Sequence, residues 1–286
     1  MDIRPNYRNL SPQQKQDFIQ AILTLKNDVP SVLRPGQQTR YDDFAEVHKN
    51  AMVGPNLLVP RPHGGPLFYP WHRVFLREFE IALQSASGRW DITLPYWDWD
   101  DEAHTPFTED FLGGSGNPNN NDRVESGPFA YARGQFEVRV WEEDQGDPGL
   151  RRRSADASST LRLPTEQDVN IALTRTPYWS PEDCWEKTSE LNLHSPPHAV
   201  VGGNMLDPGS PNDPVFFLHH CNLDRLWERW KRLHPGEPAY LPAGNAPGYD
   251  LNSTLTFQAL DRPAPWPRTF TVQQTLDTMA LGYLYA

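Results

Sequence analysis

Apolar residues recur at three- and four-residue spacing in several segments of the chain, which is the period of an amphipathic α-helix. The first of these segments follows Ser11, a predicted N-cap with Pro12 at the first helical position and Gln14 completing a capping box. Three further helices are predicted: from about Asp42 to Met52, from Pro70 through RVFLREFEIALQ, and through DPVFFLHHCNLDRLWERWKRL, with Asp213 as N-cap.

The helical period is lost between these segments. LPYWDWDDE indicates a short strand or an extended piece, and turn-forming residues dominate from Phe107 to about Ser180. No internal repeat and no linker divides the chain. We therefore expect a mainly α fold in one domain spanning residues 1–286. Its core would be an antiparallel four-helix bundle, surrounded by long loops and a few short strands.

Composition and charge exclude several classes of partner. The chain has 37 acidic and 26 basic side chains, for a net charge of -11, which argues against binding to nucleic acid or to an anionic membrane. The one compact basic run, Arg151 to Arg153, is interpreted as a solvated loop. No apolar run approaches the ~18 residues of a membrane helix. No secretion signal is visible, so the localisation stays open, and Cys184 and Cys221 are too few for a disulfide scaffold.

Histidines form the most informative pattern. His48 falls on the apolar face of a predicted helix, a costly position for an imidazole unless something binds it. His63 follows on a proline-stiffened loop, and His72 on the next helix. His194 and His198 are four residues apart, with Pro196 and Pro197 placing His194 at a helix cap, and His219 and His220 lie on the last helix. Because inward positions of adjacent helices converge in a bundle, we predict two metal-binding groups of three.

The type of ligand narrows the choice of metal. Sites made only of imidazoles suit copper or zinc, but zinc catalysis normally needs a single group of three histidines with an open position. Two groups imply two metals side by side. Reduction of dioxygen to the peroxide level takes two electrons, and two Cu(I) ions supply one each. The histidines therefore predict a pair of copper ions.

At these residues the sequence resembles the tyrosinases, the type-3 copper proteins that also include catechol oxidases and molluscan hemocyanins. HGGPLFYPWHR is similar to the first copper motif of that family. LHSPPHAVVGGNM and NDPVFFLHHCNLDRLWERW are similar to the second. Arg4, Tyr283 and Tyr285 resemble residues at the two ends of the catalytic domain. The resemblance implies that His48, His63 and His72 hold one copper, and that His194, His198 and His220 hold the other. His219 would lie beside the ligands.

The resemblance also implies roles for residues around the metals. In bacterial members an asparagine and an upstream glutamate hold a water that deprotonates phenols; here Glu186 matches the glutamate, but Ser195 stands in place of the asparagine. Ala199, directly after His198, should leave the entrance open to bulky phenols. Arg61 occupies the position of a cysteine that other members crosslink to a ligand histidine, so no thioether is expected.

Two residues of the last helix have alternative interpretations. Asp224, one turn after His220, either orients an imidazole or forms a structural salt bridge, for example to Arg4. Phe216, one turn before His220, either packs against the metal site or belongs to the core.

The resemblance implies an enzyme that uses dioxygen to convert monophenols, o-diphenols or both to o-quinones. The alternatives are a catechol oxidase or an o-aminophenol oxidase without strong monophenol hydroxylation. More remotely, the protein could be a hemocyanin-like oxygen carrier, although such carriers shield their coppers with an extra domain. We expect a bacterial-type catalytic domain without a C-terminal lid: either a lid domain has been removed, or a separate copper-delivering accessory protein shields the site.

Overall fold

Helices make up most of the regular structure. The computed structural model describes residues 1–53, 60–99, 104–131, 136–141, 148–153, 160–259 and 262–286. Its helices are α1 (Pro12–Asn27), α2 (Arg40–Val53), α3 (Phe68–Ser87), α4 (Glu166–Leu173), α5 (Trp185–Ser189), α6 (Ser195–Val201) and α7 (Val215–Leu233), and a π-helical turn (Glu190–His194) joins α5 to α6. The short strands are β1 (Asp2–Arg4), β2 (Gly116–Asn117), β3 (Arg123–Val124) and β4 (Tyr283–Tyr285). The predicted mainly α class is confirmed.

The four longest helices enclose an aromatic core. Helix α1 packs against α2 and α3, and α3 packs against α7. Phe44 of α2 meets Phe79 of α3 edge to face with 5.1 Å between ring centroids, and Phe75 of α3 stacks on Phe217 of α7 at 6.0 Å. Edge-to-face and offset contacts are the geometries that aromatic pairs prefer. These contacts hold together the helices that carry three of the six predicted ligands, His48, His72 and His220. The antiparallel order of the bundle stays a prediction.

Local capping chemistry fixes where α1 and α4 begin. The Ser11 hydroxyl accepts from the Gln14 N–H at 3.2 Å, and the Gln14 side chain accepts from the Ser11 N–H at 2.9 Å, as the predicted capping box requires. Thr165 and Asp168 form the same reciprocal pair at the start of α4. Sequence analysis missed α4 because turn-forming residues surround it, although TEQD carried the capping pattern.

Other boundaries differ from the prediction by one or two residues. Helix α3 begins at Phe68, two residues before Pro70. Helix α7 begins at Val215, with Pro214 at the cap, and Asp213 still accepts from the Val215 N–H at 3.1 Å. In LPYWDWDDE the described residues are extended and make one isolated bridge, between Tyr96 and Asn6. The acidic end of that segment, 100–102, lies outside the described residues.

The two ends of the chain meet in a buried ionic cluster. Strand β1 pairs with β4 in parallel, so that Arg4 lies opposite Tyr285. Asp224 accepts from Arg73 Nε at 2.7 Å and from the hydroxyls of Tyr283 and Tyr285, and lies 3.6 Å from Arg4. Asp224 is therefore a structural ion-pair residue. The alternative, that it orients an imidazole, is wrong.

The interpretation of the basic run Arg151 to Arg153 as a solvated loop is wrong for its middle residue. Arg152 is only 2% exposed. Its guanidinium forms a two-pronged pair with Asp213, at 2.7 and 2.8 Å, and donates to the carbonyls of Leu112 and Gly114. Such fork-to-carboxylate geometry is specific to arginine. The basic run therefore supplies a buried anchor for the start of α7 as well as surface charge.

Neither cysteine forms a disulfide: Cys184 and Cys221 are both free and buried. Of the helices that the structure describes, none is both long enough and apolar enough to cross a bilayer.

Candidate metal centre

Two groups of histidines converge inside the helical core. The first consists of His48, His63 and His72, and the second of His194, His198, His219 and His220. Within each group, one ring nitrogen from every residue lies within 4.8 Å of those of the others. The groups adjoin, because the rings of His72 and His220 stack with 4.4 Å between centroids and those of His63 and His194 are 5.8 Å apart. The fold therefore brings together all six predicted ligands, in two neighbouring sets.

Backbone carbonyls orient the two helical histidines of the first group. Nδ1 of His48 lies 2.7 Å from the carbonyl oxygen of Pro208, and Nδ1 of His72 lies 2.8 Å from that of Phe68. Since a carbonyl only accepts, each Nδ1 must carry the hydrogen. Each Nε2 is then a bare lone pair, buried and without a hydrogen-bond partner. Buried polar atoms are nearly always satisfied, so these orphaned nitrogens indicate an absent ligand.

The turn that follows α6 orients a histidine of each group. The Met205 carbonyl lies 2.6 Å from Nδ1 of His198, and the next residues bring the Pro208 carbonyl to His48. Gly203 makes this turn possible: its φ is +52°, and a Cβ there would lie 2.2 Å from the Arg151 carbonyl oxygen. The sequence did not predict a role for the turn after α6, because every residue has a backbone carbonyl and the side-chain pattern does not show which of them contact a histidine.

Two prolines shape the backbone at His194. Pro196 and Pro197 occupy the first turn of α6, where no amide donor is needed, and His194 is its N-cap residue, as the sequence predicted. The chain widens into the π-helical turn just before them, and the Ser195 N–H reaches the Glu190 carbonyl five residues back. Both ring nitrogens of His194 are buried without a partner.

Hydrogen bonds distinguish His219 from His220, the adjacent pair on α7. His219 Nδ1 accepts from the indole N–H of Trp99 at 2.9 Å, and its Nε2 lies 3.1 Å from the His194 carbonyl. Both nitrogens are therefore engaged, although His219 is close enough to the others to count among possible ligands. His220 Nδ1 has no partner, and its Nε2 lies 3.4 Å from that of His198. This geometry favours His220. We call His48, His63 and His72 the first triad, and His194, His198 and His220 the second triad.

The histidines are held in the form that binds metals. Burial lowers the pKa of His48 to about 3 and that of His198 to about 4. The other four are also held well below their usual range by burial and by neighbouring imidazoles. Neutral imidazoles have a free lone pair for a metal at neutral pH. The donor set, all nitrogen with orphaned lone pairs, fits copper.

Phe216 closes the space between the triads. It is fully buried, its ring stacks on His220 at 4.0 Å, and its edge meets His48 at 4.9 Å. The two interpretations made from the sequence both describe it, because the core and the metal centre share this residue.

A pair of glutamates lies behind the second triad. Glu186 is fully buried, and neither of its carboxyl oxygens has a hydrogen-bond donor in the described part of the chain. Burial, together with the neighbouring Glu190 carboxyl one turn on, raises the pKa of Glu186 to about 10. Glu190 accepts from the Gly64 N–H, 3.0 Å from each of its oxygens. Sequence analysis did not single out Glu190, although it stands four residues from both Glu186 and His194.

The other two predicted site residues lie at the start and middle of α6. Ser195 is exposed, and its hydroxyl donates to the Glu190 carbonyl at 3.0 Å. Ala199 is partly exposed, directly after His198. The structure describes no hydrogen bond between Ser195 and Glu186.

Comparisons with known proteins agree with this geometry. Residues 38–233 match the common central domain of tyrosinase. The chain is 39% identical to a tyrosinase of Streptomyces antibioticus, over 89% of this chain and 92% of that one, and 38% identical to one of Streptomyces glaucescens, over 97% and 100%. A mutant polyphenol oxidase from Thermothelomyces thermophila has the same fold, with a TM-score of 0.77 at 24% identity, covering 100% of this chain and 89% of that one. The chain therefore belongs to the tyrosinase family and is an oxidoreductase whose cofactor is a pair of copper ions.

Proposed function

We propose that the protein uses dioxygen to oxidise phenols to o-quinones, with one copper held by the first triad and the other by the second. The observation that carries this proposal is the set of orphaned ring nitrogens in two adjoining triads. When bound, the two coppers supply the two electrons that dioxygen takes up. The protein supplies a dry, preorganised pocket and controls which phenols enter it.

The imidazoles are preorganised for this role. His48, His72 and His198 each donate Nδ1–H to a carbonyl, so their Nε2 lone pairs are fixed in direction before any metal binds. His219 supports His194 by donating to its backbone carbonyl, and Trp99 fixes the tautomer of His219. We assign His219 this supporting part and leave the sixth ligand to His220.

We propose that Glu186 and Ser195 hold a water that helps the phenol to lose its proton. The partnerless oxygens of Glu186 favour a bound water, which would satisfy them. With its raised pKa Glu186 keeps its proton, which is shared with the neighbouring Glu190 carboxyl, so Glu186 would hold that water through an accepting oxygen. Positive charge at the triads would lower this pKa and make Glu186 a better base. Ser195 has already committed its hydrogen to the Glu190 carbonyl, so it can only accept from a water.

This arrangement supports oxidation of o-diphenols more strongly than hydroxylation of monophenols, because hydroxylation depends more on the positioned water. The small side chain of Ala199 leaves space beside His198 for a ring-substituted phenol. The tyrosinase relatives do not favour the alternatives of a dedicated catechol oxidase or an oxygen carrier.

Turnover with two substrates tests the proposal. Copper-loaded protein is given tyramine and, in parallel, catechol, and o-quinone formation is followed by absorbance. We expect quinone from both, with catechol faster. Quinone from catechol alone would identify a catechol oxidase. Copper analysis gives an independent result: active protein with one copper per chain would contradict the two-site assignment.

We also propose an accessory protein that delivers copper. Leu191 in the π-helical turn and Leu206 after α6 are 69% and 59% exposed, on the segments that carry His194 and the carbonyl partner of His198. We propose that the partner contacts these two side chains, because both lie on segments that support the second triad. Copper loading is measured with stoichiometric free copper, with and without cell extract. If free copper alone fills both triads as fast as it does with extract, that result would argue against such a partner.

A further inference from the structure

His63 differs from the other five proposed ligands in how it is supported. The other five lie in or directly at the end of helical segments, whereas His63 lies on the loop between α2 and α3. Its Nδ1 is buried without a partner, while His48, His72 and His198 each use that atom to contact a carbonyl. Within the described part of the chain, no hydrogen bond therefore orients the His63 ring through Nδ1.

The backbone directly after His63 is held from one side by a carboxylate. The Gly64 N–H lies 3.0 Å from both oxygens of the Glu190 carboxyl group, so either oxygen can accept from it. Gly64 has a φ of +71°, so the chain reverses at this residue. A second bond, from the Tyr178 hydroxyl to the Pro66 carbonyl at 2.7 Å, fixes the far side of the loop.

Glu190 also belongs to the backbone of the second triad. It is the first residue of the π-helical turn that ends at His194, and its carbonyl accepts from both the Ser195 N–H and the Ser195 hydroxyl. The side chain of Glu190 thus reaches the loop of His63 while its main chain fixes the turn before His194. The His63 and His194 rings, from opposite triads, are 5.8 Å apart.

We propose that Glu190 is a positioning residue for the first copper: its carboxylate fixes the Gly64 N–H and thereby holds the His63 imidazole in the first triad, against the turn that carries His194. This inference rests on the proposed function, because it takes His63 to be a copper ligand. A merely structural role would stabilise the loop without a specific effect on the first triad.

Copper affinity measured site by site tests the proposal. Full-length protein carrying His220→Gln keeps only the first triad intact, and protein carrying His63→Gln keeps only the second. Glu190→Ala is added to each, and Cu(I) affinity is measured by competition with a chromophoric chelator. We expect a loss of roughly 10- to 100-fold in the first background, the range for lost partners of metal ligands, and little change in the second.

Conservative variants separate geometry from charge and from folding. Glu190→Gln keeps an oxygen that can accept from Gly64 and should preserve first-triad affinity within a few-fold. Glu190→Asp keeps the charge but is one methylene shorter, so it should weaken the first triad nearly as much as alanine does. This pair decides the question even if the alanine variant does not fold. Glu182→Ala, on the exposed stretch before α5, is the matched control and should change neither affinity.

Equal losses in the two backgrounds, or unchanged affinities with a lowered melting temperature, would overturn the proposal and leave Glu190 as a loop anchor. Failure of the proposed function looks different: the parent protein itself would then bind fewer than two coppers, whatever residue stands at position 190.

Discussion

Helices α3 and α7 each contribute to two buried polar clusters that lie one after the other along the same pair of helices. His72 and Arg73 are neighbours on α3, and His220 and Asp224 are one turn apart on α7. In the ionic cluster every charged group has its partner: burial would raise the pKa of Asp224, but the guanidinium groups of Arg73 and Arg4 outweigh burial and keep it below its ordinary value. In the histidine cluster, by contrast, six buried ring nitrogens have no hydrogen-bond partner in the described part of the chain.

Whether the buried polar groups have partners distinguishes the structural cluster from the functional one. Leaving a buried polar group unpaired costs free energy, so several such groups gathered in one place indicate a site that a ligand fills. The ionic cluster is complete without a ligand and joins the two ends of the chain. The histidine cluster is complete only with metal. Changes in the first should therefore affect stability, and changes in the second should affect copper.

The largest expected effect is the loss of a copper from the second triad. His220→Gln should lower the content from about two to about one copper per chain and abolish most quinone formation, since each copper needs its three protein ligands. His219→Gln is the matched control, because His219 already uses both nitrogens, and it should keep two coppers. Metal analysis and catechol turnover measure both variants. The opposite pattern would make His219 the sixth ligand.

A smaller effect, on stability, is expected in the ionic cluster. Asp224→Ala removes the buried carboxylate that Arg73 and two tyrosine hydroxyls share and leaves Glu228 as the ion-pair partner of Arg73, which should cost about 3–5 kcal/mol of unfolding free energy. Tyr283→Phe removes one hydrogen bond to the same carboxylate and should cost about 1.5–3 kcal/mol. Denaturant unfolding of copper-free protein gives both values. The folded fraction should still bind two coppers; a lost copper at unchanged stability would show that Asp224 serves the metal site after all.

The smallest effect should appear in substrate preference. Ser195→Asn supplies an amide that can both donate to and accept from a water, so monophenol turnover should rise a few-fold relative to catechol turnover. Ser195→Ala is the comparison variant and should lower that ratio, because it removes the remaining acceptor. If the ratio is the same in all three proteins, position 195 does not control hydroxylation.

The sequence predicted the parts of the fold that depend on local patterns. Helical spacing and the capping box located α1, and the two prolines placed His194 at a helix cap. Prediction failed for Arg152 and left Asp224 undecided, because a charged side chain looks the same in sequence whether it faces water or a buried partner. The single-domain organisation and the roles of Glu186, Ser195 and Ala199 stay predictions.

What the sequence determined by itself was the chemistry: six histidines in two groups of three, with motifs that identify the copper family. The choice of His220 over His219 came from the family motif, since spacing left both open, and the structure adds the physical reason in the bonds that occupy His219. Only the tertiary structure decided which carbonyls orient His198 and His48, those of Met205 and Pro208, and placed the Glu190 carboxyl group against the Gly64 N–H beside His63. Those partners are backbone atoms or residues far apart in the chain, and only folding brings them within hydrogen-bonding distance.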